Sequence, residues 1–444
     1  MNLNRKLTIL GAGESGTGAA LLGKAKGYDV FVSDMGVIKE QYVKELSENG
    51  IEFESGRHSE ARILESQLVI KSPGIPESAP LIRKLRANGN LIIGEIEFAA
   101  KYTAAKLIGI TGTNGKTTTT LLTYHLLKEG GFNVGLGGNI GKSFARQVIE
   151  DKHDWYVLEL SSFQLDDCYE LKLDIAVLLN ITPDHLDRYE YDFEKYIASK
   201  MRIFHLVHLG GHAVYSTDDH QSGKNISSAA RGLKVHPFSL GGDASEILYD
   251  RLFFTPLNVE VSAPRADISI KGLHNMKNAM AAGYAASLAG VSEEAVIKGF
   301  KTFKNAPHRL ESVRKIDGVE YINDSKATNV DSVFYALDAF KTPIVWIAGG
   351  IDKGNDYSLI NALVEEKVKA LICLGKDNSK LFTAFENLVP TVKATDDLIK
   401  AIRMAKELAS PGDTVLLSPA CASFDLFKNY EDRGDQFRAA VLSI

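Results

Sequence analysis

Cysteine is scarce in this sequence: three residues in 444, with Cys168, Cys373 and Cys421 standing far apart. No disulfide framework and no Cys-x-x-Cys metal pair can be drawn from them, which favours a reducing compartment. Positive charge is not in excess either. Lys and Arg number 51 against 56 Asp and Glu, a formal net charge of −5. That excludes a broad basic face for nucleic acid, while local sites for phosphate stay open. Long hydrophobic runs are missing too, and nothing approaches the length needed to cross a bilayer. Residues 279–290 are apolar but short and alanine-rich, so they read as a buried helix. The first residues run into a strand pattern without the apolar stretch of a signal peptide. Short-period repeats and low-complexity tails are lacking, so solenoid and linker-array readings fail. These absences leave the expectation of a soluble, cytoplasmic protein. Its 45% apolar content is ample for several packed cores.

What is present is alternation. Short apolar runs at 7–10, 30–33, 68–71, 107–110, 157–160, 175–179, 344–348, 370–374 and 414–417 are separated by longer amphipathic segments. This is the pattern of βα units around mainly parallel sheets with helices on both faces. Glycine-rich strand-to-helix turns begin at Gly11, Gly112 and Gly349, each where a new module could open. The expected fold class is therefore α/β in three domains, 1–103, 104–306 and 307–444. The first and last are expected to be Rossmann-like. The central one is expected to be a P-loop mononucleotide-binding domain, mainly parallel with a small antiparallel part. Weak alternation and several Gly, Ser and Pro residues place that antiparallel part at 215–270.

The strongest local signal is Gly112-Thr113-Asn114-Gly115-Lys116-Thr117, between an expected strand and an expected helix. Such a loop turns its N–H groups onto phosphate oxygens, and the helix N-terminus adds partial positive charge. Lys116 would reach the β- and γ-phosphates of ATP, and the Thr117 hydroxyl would bind Mg²⁺. The match departs from the general P-loop, because Ile110 stands where its first glycine belongs. Glu159 ends a strand, and Asp184-His185-Leu186-Asp187 follows another, which offers oxygen and imidazole partners for a metal. His185 alone could equally be an ordinary loop histidine. The first loop, Gly11-Ala-Gly13-Glu-Ser-Gly16, with Asp34 ending the next strand, reads as a dinucleotide fingerprint. An NAD-dependent oxidoreductase therefore stays open on these residues.

Nine segments together resemble the Mur ligases of peptidoglycan synthesis. They include Thr111-Gly-Thr-Asn-Gly-Lys-Thr117, Gly137-Gly-Asn-Ile-Gly141, Glu159-Leu-Ser-Ser-Phe-Gln164 and Asn180-Ile-Thr-Pro-Asp-His-Leu-Asp-Arg188. Ser199-Lys-Met-Arg-Ile203, His274-Asn-Met-Lys-Asn-Ala279 and Pro307-His-Arg309 continue the series in the family's order. Asn323-Asp-Ser-Lys-Ala-Thr-Asn329 and Ser418-Pro-Ala-Cys-Ala-Ser-Phe-Asp425 resemble the D-glutamate-adding branch. The Asp-Asn-Pro-Arg signature of the diaminopimelate- and lysine-adding branches is missing. Another Mur ligase or a folylpolyglutamate synthase is the alternative within this chemistry.

The resemblance implies a cytoplasmic ligase, acting as a monomer, that joins D-glutamate to UDP-N-acetylmuramoyl-L-alanine with hydrolysis of ATP. It implies catalytic roles for Lys116, Glu159, His185 and Lys200, the last as a carbamate. Metal ligands would be Thr117, Glu159, His185 and carbamylated Lys200. ATP would lie on residues 112–118, from Gly112, Thr113 and Asn114 through Gly115 to Thr118, with Asn275, Arg309, Asp324 and Lys326. The first loop would hold uridine diphosphate on Glu14, Ser15 and Gly16, with Asp34 toward the uracil. Ser72, Pro73, Gly74 and Asn139 would lie near the nucleotide or sugar, and Ser161 and Gln164 would complete that site. D-Glutamate would meet Thr328, Lys353, Ser423 and Phe424. Three bland readings stand beside these: a surface lysine for Lys200, a structural ion pair for Arg309, and simple packing for Cys421. Sites spread over three domains imply closure on binding, since water must be kept from an acyl phosphate.

Overall fold

The computed structural model describes residues 5–242, 245–248, 251–256, 261–270 and 272–444. It divides into two compact units. One holds the chain up to Ser269 together with Lys277–Phe303, and the other holds Ile270–Met276 with Lys304–Ile444.

The first unit opens with five parallel strands, β1 (Lys6–Leu10), β2 (Asp29–Asp34), β3 (Glu52–Ser55), β4 (Leu68–Lys71) and β5 (Leu91–Ile93). Their order is β3-β2-β1-β4-β5, so the chain reverses direction across the sheet between β1 and β4. A second parallel sheet uses β6 (Lys106–Thr111), β7 (Val134–Gly138), β8 (Trp155–Glu159), β9 (Leu173–Leu178), β10 (Val207–Ser216) and β11 (Lys234–Phe238). Its order is β11-β10-β9-β6-β8-β7, with β6 between β9 and β8. Residues 107–111 are all buried, as are all five of β8, because helices cover both faces. That two-sided cover is why these strands read as unbroken apolar runs rather than alternations.

The small antiparallel sheet consists of β12 (Gly241–Gly242), β13 (Ser245–Leu248), β14 (Arg251–Phe254) and β15 (Val261–Pro264). It is narrower than expected. Tyr215 belongs to β10, and 220–238 continue the parallel sheet through the helix His220–Ala229 and β11. Asp219 caps that helix by accepting from Ser222 N at 2.8 Å. Its sequence, HQSGKNISSA, has too few apolar residues to show a helical stripe. Residues 243–244, 249–250 and 257–260 of the expected excursion lie outside the described residues.

Buried carboxylates join the first two sheets. Glu97 accepts from the backbone N–H groups of Tyr169 (3.1 Å) and Leu171 (2.9 Å), and Asp167 pairs with Lys71 at 2.8 Å. Glu95 accepts from Ser143 Oγ (2.7 Å) and Ala145 N (2.6 Å). The alanine-rich run lies in the helix Leu273–Leu288, where Ala279, Ala281, Ala282, Ala285 and Ala286 are fully buried.

The second unit is built on β16 (Glu311–Ile316), β17 (Val319–Asn323), β18 (Ile344–Ala348), β19 (Val368–Leu374), β20 (Val392–Thr395) and β21 (Thr414–Leu417). The order is β16-β17-β21-β18-β19-β20, and only β16 runs antiparallel. Consequently β17, β21 and β18 are neighbours, and the loops leaving their carboxyl ends are those carrying the C-terminal motifs. All three cysteines are buried thiols. Among the described residues, no helix is long and apolar enough to cross a membrane.

Candidate active site

β6 delivers the chain into the second glycine loop, and the helix Lys116–Glu129 leaves it. Gly115 is left-handed (φ +84°), and a Cβ there would stand 2.3 Å from Asn278 Oδ1, so only glycine fits. The loop is clamped by the segment after β9. Thr113 N donates to Asn180 O (2.9 Å), Asn114 N to Asn180 Oδ1 (2.8 Å), and Thr113 Oγ1 to Thr182 O (3.0 Å). Lys116 Nζ lies across the loop, donating to the carbonyls of Gly112 and Thr113 at 2.8 Å each. Thr117 and Thr118 are buried in the first helical turn.

Lys200 comes to the same place from the helix Phe193–His205, which Asp192 caps. It is 2% exposed, donates to Gly112 O at 2.9 Å, and lies 4.8 Å from the centre of the Tyr196 ring. The surface-lysine reading therefore fails. Burial, and then the charge of Lys116, hold its amine well below the ordinary lysine range. Glu159 ends β8 and is 1% exposed. Its Oε1 accepts from Asn139 Nδ2 (2.9 Å), and its backbone carbonyl accepts from Asn139 N (2.8 Å). Among the described residues Oε2 has no hydrogen-bond partner. His185 is half-exposed in a left-handed turn (φ 52°), its ring 5.3 Å from Phe163.

Among the described residues, no three His, Cys, Asp or Glu side chains form a ready-made metal cage. The donor set fits Mg²⁺ nonetheless. Glu159 Oε2 is a buried carboxylate oxygen without a partner among the described residues, and Mg²⁺ takes few protein ligands and keeps its waters.

At the first loop, Asp34 accepts from Ala12 N (2.7 Å) and Gly36 N (2.8 Å), tying the turn after β1 to the end of β2. Ser72, Pro73 and Gly74 follow β4, the neighbour of β1, and Arg188 donates to the carbonyls of Pro73 (3.1 Å) and Gly74 (3.2 Å). The two strand ends bracket the reversal where open α/β sheets hold ligands. Ser15 and Gly16 lie in the first turn of the helix Glu14–Ala25. The Glu14 side chain turns to Arg146. Ser161 and Gln164 serve the local structure, forming a capping box on the helix Ser162–Asp166. Asn139 is brought to Glu159, as described above.

In the second unit, Asp324 follows β17, and burial pushes its carboxyl up to about 7. It accepts from Ser418 Oγ (3.0 Å) after β21 and from Leu310 N (3.2 Å). Lys326 lies 5.1 Å from the Tyr430 ring. Asn275 is buried in the short Ile270–Met276 segment. Burial, with Arg309 nearby, lowers its neighbour His274 to about 4. Lys353 is exposed beside Asp352, which accepts from Lys380 (2.6 Å), Tyr357 Oη (2.8 Å) and Gly354 N (2.7 Å). Thr328 is half-buried, Ser423 buried and Phe424 exposed. The Cys421 thiol sits 3.3 Å from Tyr357 Oη, and burial raises its pKa, so it is a packed residue rather than a nucleophile.

Arg433 and Arg146 are not marked by any sequence motif. Arg433, 1% exposed, donates to Ser325 Oγ (3.0 Å), Ser325 O (2.9 Å), Gly349 O (3.3 Å) and Cys421 O (3.3 Å). It fastens together the loops after β17, β18 and β21. Nothing in its helix, Tyr430–Leu442, marks it out from the other arginine there.

Comparison with known proteins covers almost the whole chain. Residues 5–94 match the Mur ligase MurD-like N-terminal domain, 110–286 the Mur ligase middle domain, and 308–421 the Mur ligase glutamate ligase domain. A protein of Cytophaga hutchinsonii named UDP-N-acetylmuramoylalanine--D-glutamate ligase is 54% identical, with both chains covered in full. One of the same name from Christiangramia forsetii is 49% identical, again over 100% of each. Among solved structures, a pseudomurein peptide ligase type C from Methanothermus fervidus matches with a TM-score of 0.63 at 20% identity, over 99% of this chain and 100% of that one. MurF ligase from Thermotoga maritima in complex with ADP matches at 0.62 and 18%, over 93% and 95%.

Proposed function

The chain belongs to the Mur ligase family, and from that premise we propose that it joins D-glutamate to UDP-N-acetylmuramoyl-L-alanine, with ATP, in peptidoglycan synthesis. The chemistry rests on one observation: Lys116 and Lys200 converge on the Gly112 carbonyl inside the glycine loop. The choice of D-glutamate rests on the full-length relatives.

A carboxylate is a poor acyl donor, so the muramoyl-alanine carboxylate must first take the γ-phosphoryl group of ATP. ADP leaves, and an acyl phosphate remains. The D-glutamate amine then adds to the activated carbonyl, and the tetrahedral intermediate expels phosphate as the amide forms. Two anions meet in the first step, so the residues must neutralise charge and hold the reactants in line. Lys116 and the N–H groups of residues 112–118 do this for the phosphates. Mg²⁺, held by Thr117, Glu159, His185 and carbamylated Lys200, would supply further charge neutralisation at those oxygens. Burial lowers the Lys200 pKa and so favours the neutral amine, the form that bonds to CO₂ carbon while its proton leaves to solvent.

Asn275, Arg309, Asp324 and Lys326 take the rest of ATP in this reading. Ser15, Gly16, Asp34 and 72–74 take the uridine diphosphate end, with Glu14 contributing its backbone and Asn139, Ser161 and Gln164 nearby. Thr328, Lys353, Ser423 and Phe424 take D-glutamate, whose two carboxylates call for a cation and N–H or O–H donors. The domains are 1–103, 104–306 and 307–444, and the enzyme works in the cytoplasm as a monomer. A dehydrogenase would leave the Lys116 loop idle.

The test is phosphate release from ATP with UDP-N-acetylmuramoyl-L-alanine, Mg²⁺ and one amino acid at a time. Release that depends on D-glutamate, with a product heavier by one glutamyl residue, is expected. Release with another amino acid, or only with a folate, overturns the substrate. No release, alongside tight NAD binding, overturns the ligase.

A further inference from the structure

A carboxylate stands where an anionic substrate is expected. Glu14 is the first residue of the helix Glu14–Ala25, whose opening turn follows the first glycine loop. The first backbone bond of that helix is Thr17 N to Gly13 O (2.9 Å), so the N–H groups of 14–16 precede it. A carboxylate at that position is well placed to complement its own helix N-terminus and so to compete with a diphosphate. It does not do so here.

The Glu14 carboxylate is turned toward the second sheet's helix Phe144–Val148. Its Oε1 accepts from Ser143 N (3.0 Å) and Arg146 Nε (3.1 Å), and Oε2 accepts from Arg146 Nη2 (3.4 Å). Arg146 is committed on its other side to Glu45, through Nη2 at 3.0 Å and through Nη1. The guanidinium is thus shared by carboxylates from two helices of the first sheet. Its own helix cannot follow them elsewhere. Glu95 holds the start of that helix through Ser143 Oγ and Ala145 N, as described above. At Gly18 a Cβ would come within 2.1 Å of Ser143 Oγ, so the two helices touch as closely as glycine permits.

We propose that Arg146 is a positioning residue for the nucleoside-diphosphate end of the substrate, holding the Glu14 carboxylate off the helix N-terminus that receives the phosphates. The proposal rests on reading the first glycine loop as the diphosphate cradle. A plain ion pair docking one sheet on the other has the same geometry but different kinetics. A docking pair affects stability and turnover together, whatever substrate is varied. Masking of a carboxylate affects the affinity of one substrate, and deleting the carboxylate relieves it.

Steady-state kinetics with each substrate varied in turn separate the two. In Arg146→Met, KM for the UDP-linked substrate should rise about tenfold through the unmasked charge, with kcat and the other KM values within about twofold. Because the pair is partly exposed, the defect should shrink in high salt. Glu14→Gln/Arg146→Met should bring KM back toward wild type, and Arg146→Lys should fall between. A double variant as impaired as Arg146→Met, or equal losses for all three substrates, overturns masking in favour of docking. If Arg146→Met does not fold, Arg146→Lys with and without Glu14→Gln gives the same comparison. A wild-type enzyme that does not turn over the UDP-linked substrate overturns the functional reading first, and the inference with it.

Discussion

The amine nitrogen of Lys200 lies 2.9 Å from the carbonyl oxygen of Gly112, an oxygen that also accepts from Lys116 at 2.8 Å. Lys116 thus shares a backbone oxygen with the buried Lys200 inside the glycine loop, where its charge would meet phosphate oxygens. Replacing Lys116 with Ala should therefore lower kcat on the order of 100-fold or more, with the fold retained. Lys200→Arg cannot be carbamylated and puts a permanent positive charge in that buried place, and it should be as impaired. Phosphate-release assays with a thermal-unfolding control check both. Removing dissolved CO₂ should lower wild-type activity, and adding bicarbonate should restore it.

Glu159 offers a cleaner separation of function from stability. Among the described residues its buried Oε2 has no hydrogen-bond partner, so no contact of the fold depends on that oxygen. Glu159→Gln keeps the shape and removes the charge. Thermal unfolding without Mg²⁺ should be unchanged or higher, while activity falls on the order of 100-fold or more. Loss of both together would show Glu159 to be merely structural.

Three buried carboxyls set a pH dependence. Burial pushes Glu95 and Asp324 up to about 7 and Asp167 up to about 6. Each folded value lies above the ordinary carboxyl range, so the folded protein holds protons that the unfolded chain has released. Their contribution is complete below the unfolded values and is lost as pH rises through the folded ones. The melting temperature should therefore decline from about pH 5 to about pH 8. Glu95→Gln should flatten the curve and gain about 1–3 kcal/mol at its upper end.

Arg433 should matter twice. Replacing it with Met leaves the carbonyls of Ser325, Gly349 and Cys421 without their donor, at about 1–3 kcal/mol for each one left buried. Because those loops carry the candidate D-glutamate residues, KM for D-glutamate should rise more than KM for the UDP-linked substrate. Urea unfolding and substrate titrations measure the two effects.

The strands were legible because burial on both faces makes them continuous apolar runs, as at 107–110 and 344–348. The antiparallel boundary was not, since the helix His220–Ala229 has too little apolar surface to show its period. Lys116 was legible from its loop, whereas Lys200 needed the family resemblance: a lysine on an amphipathic helix looks like a surface residue. Ser161 and Gln164 resemble substrate donors in sequence but are satisfied by each other at a helix start. Arg146 and Arg433 could not be read at all. Glu14 stands 132 residues from Arg146, and Ser325 stands 108 residues from Arg433, separations that no local pattern spans.

The burial of all three thiols has a practical use. Maleimide probes should find almost no native cysteine to react with, so one cysteine introduced at exposed Val37 or Leu359 would carry the label by itself. Fluorescent or spin reporters could then follow nucleotide and amino-acid binding on the otherwise unaltered sequence.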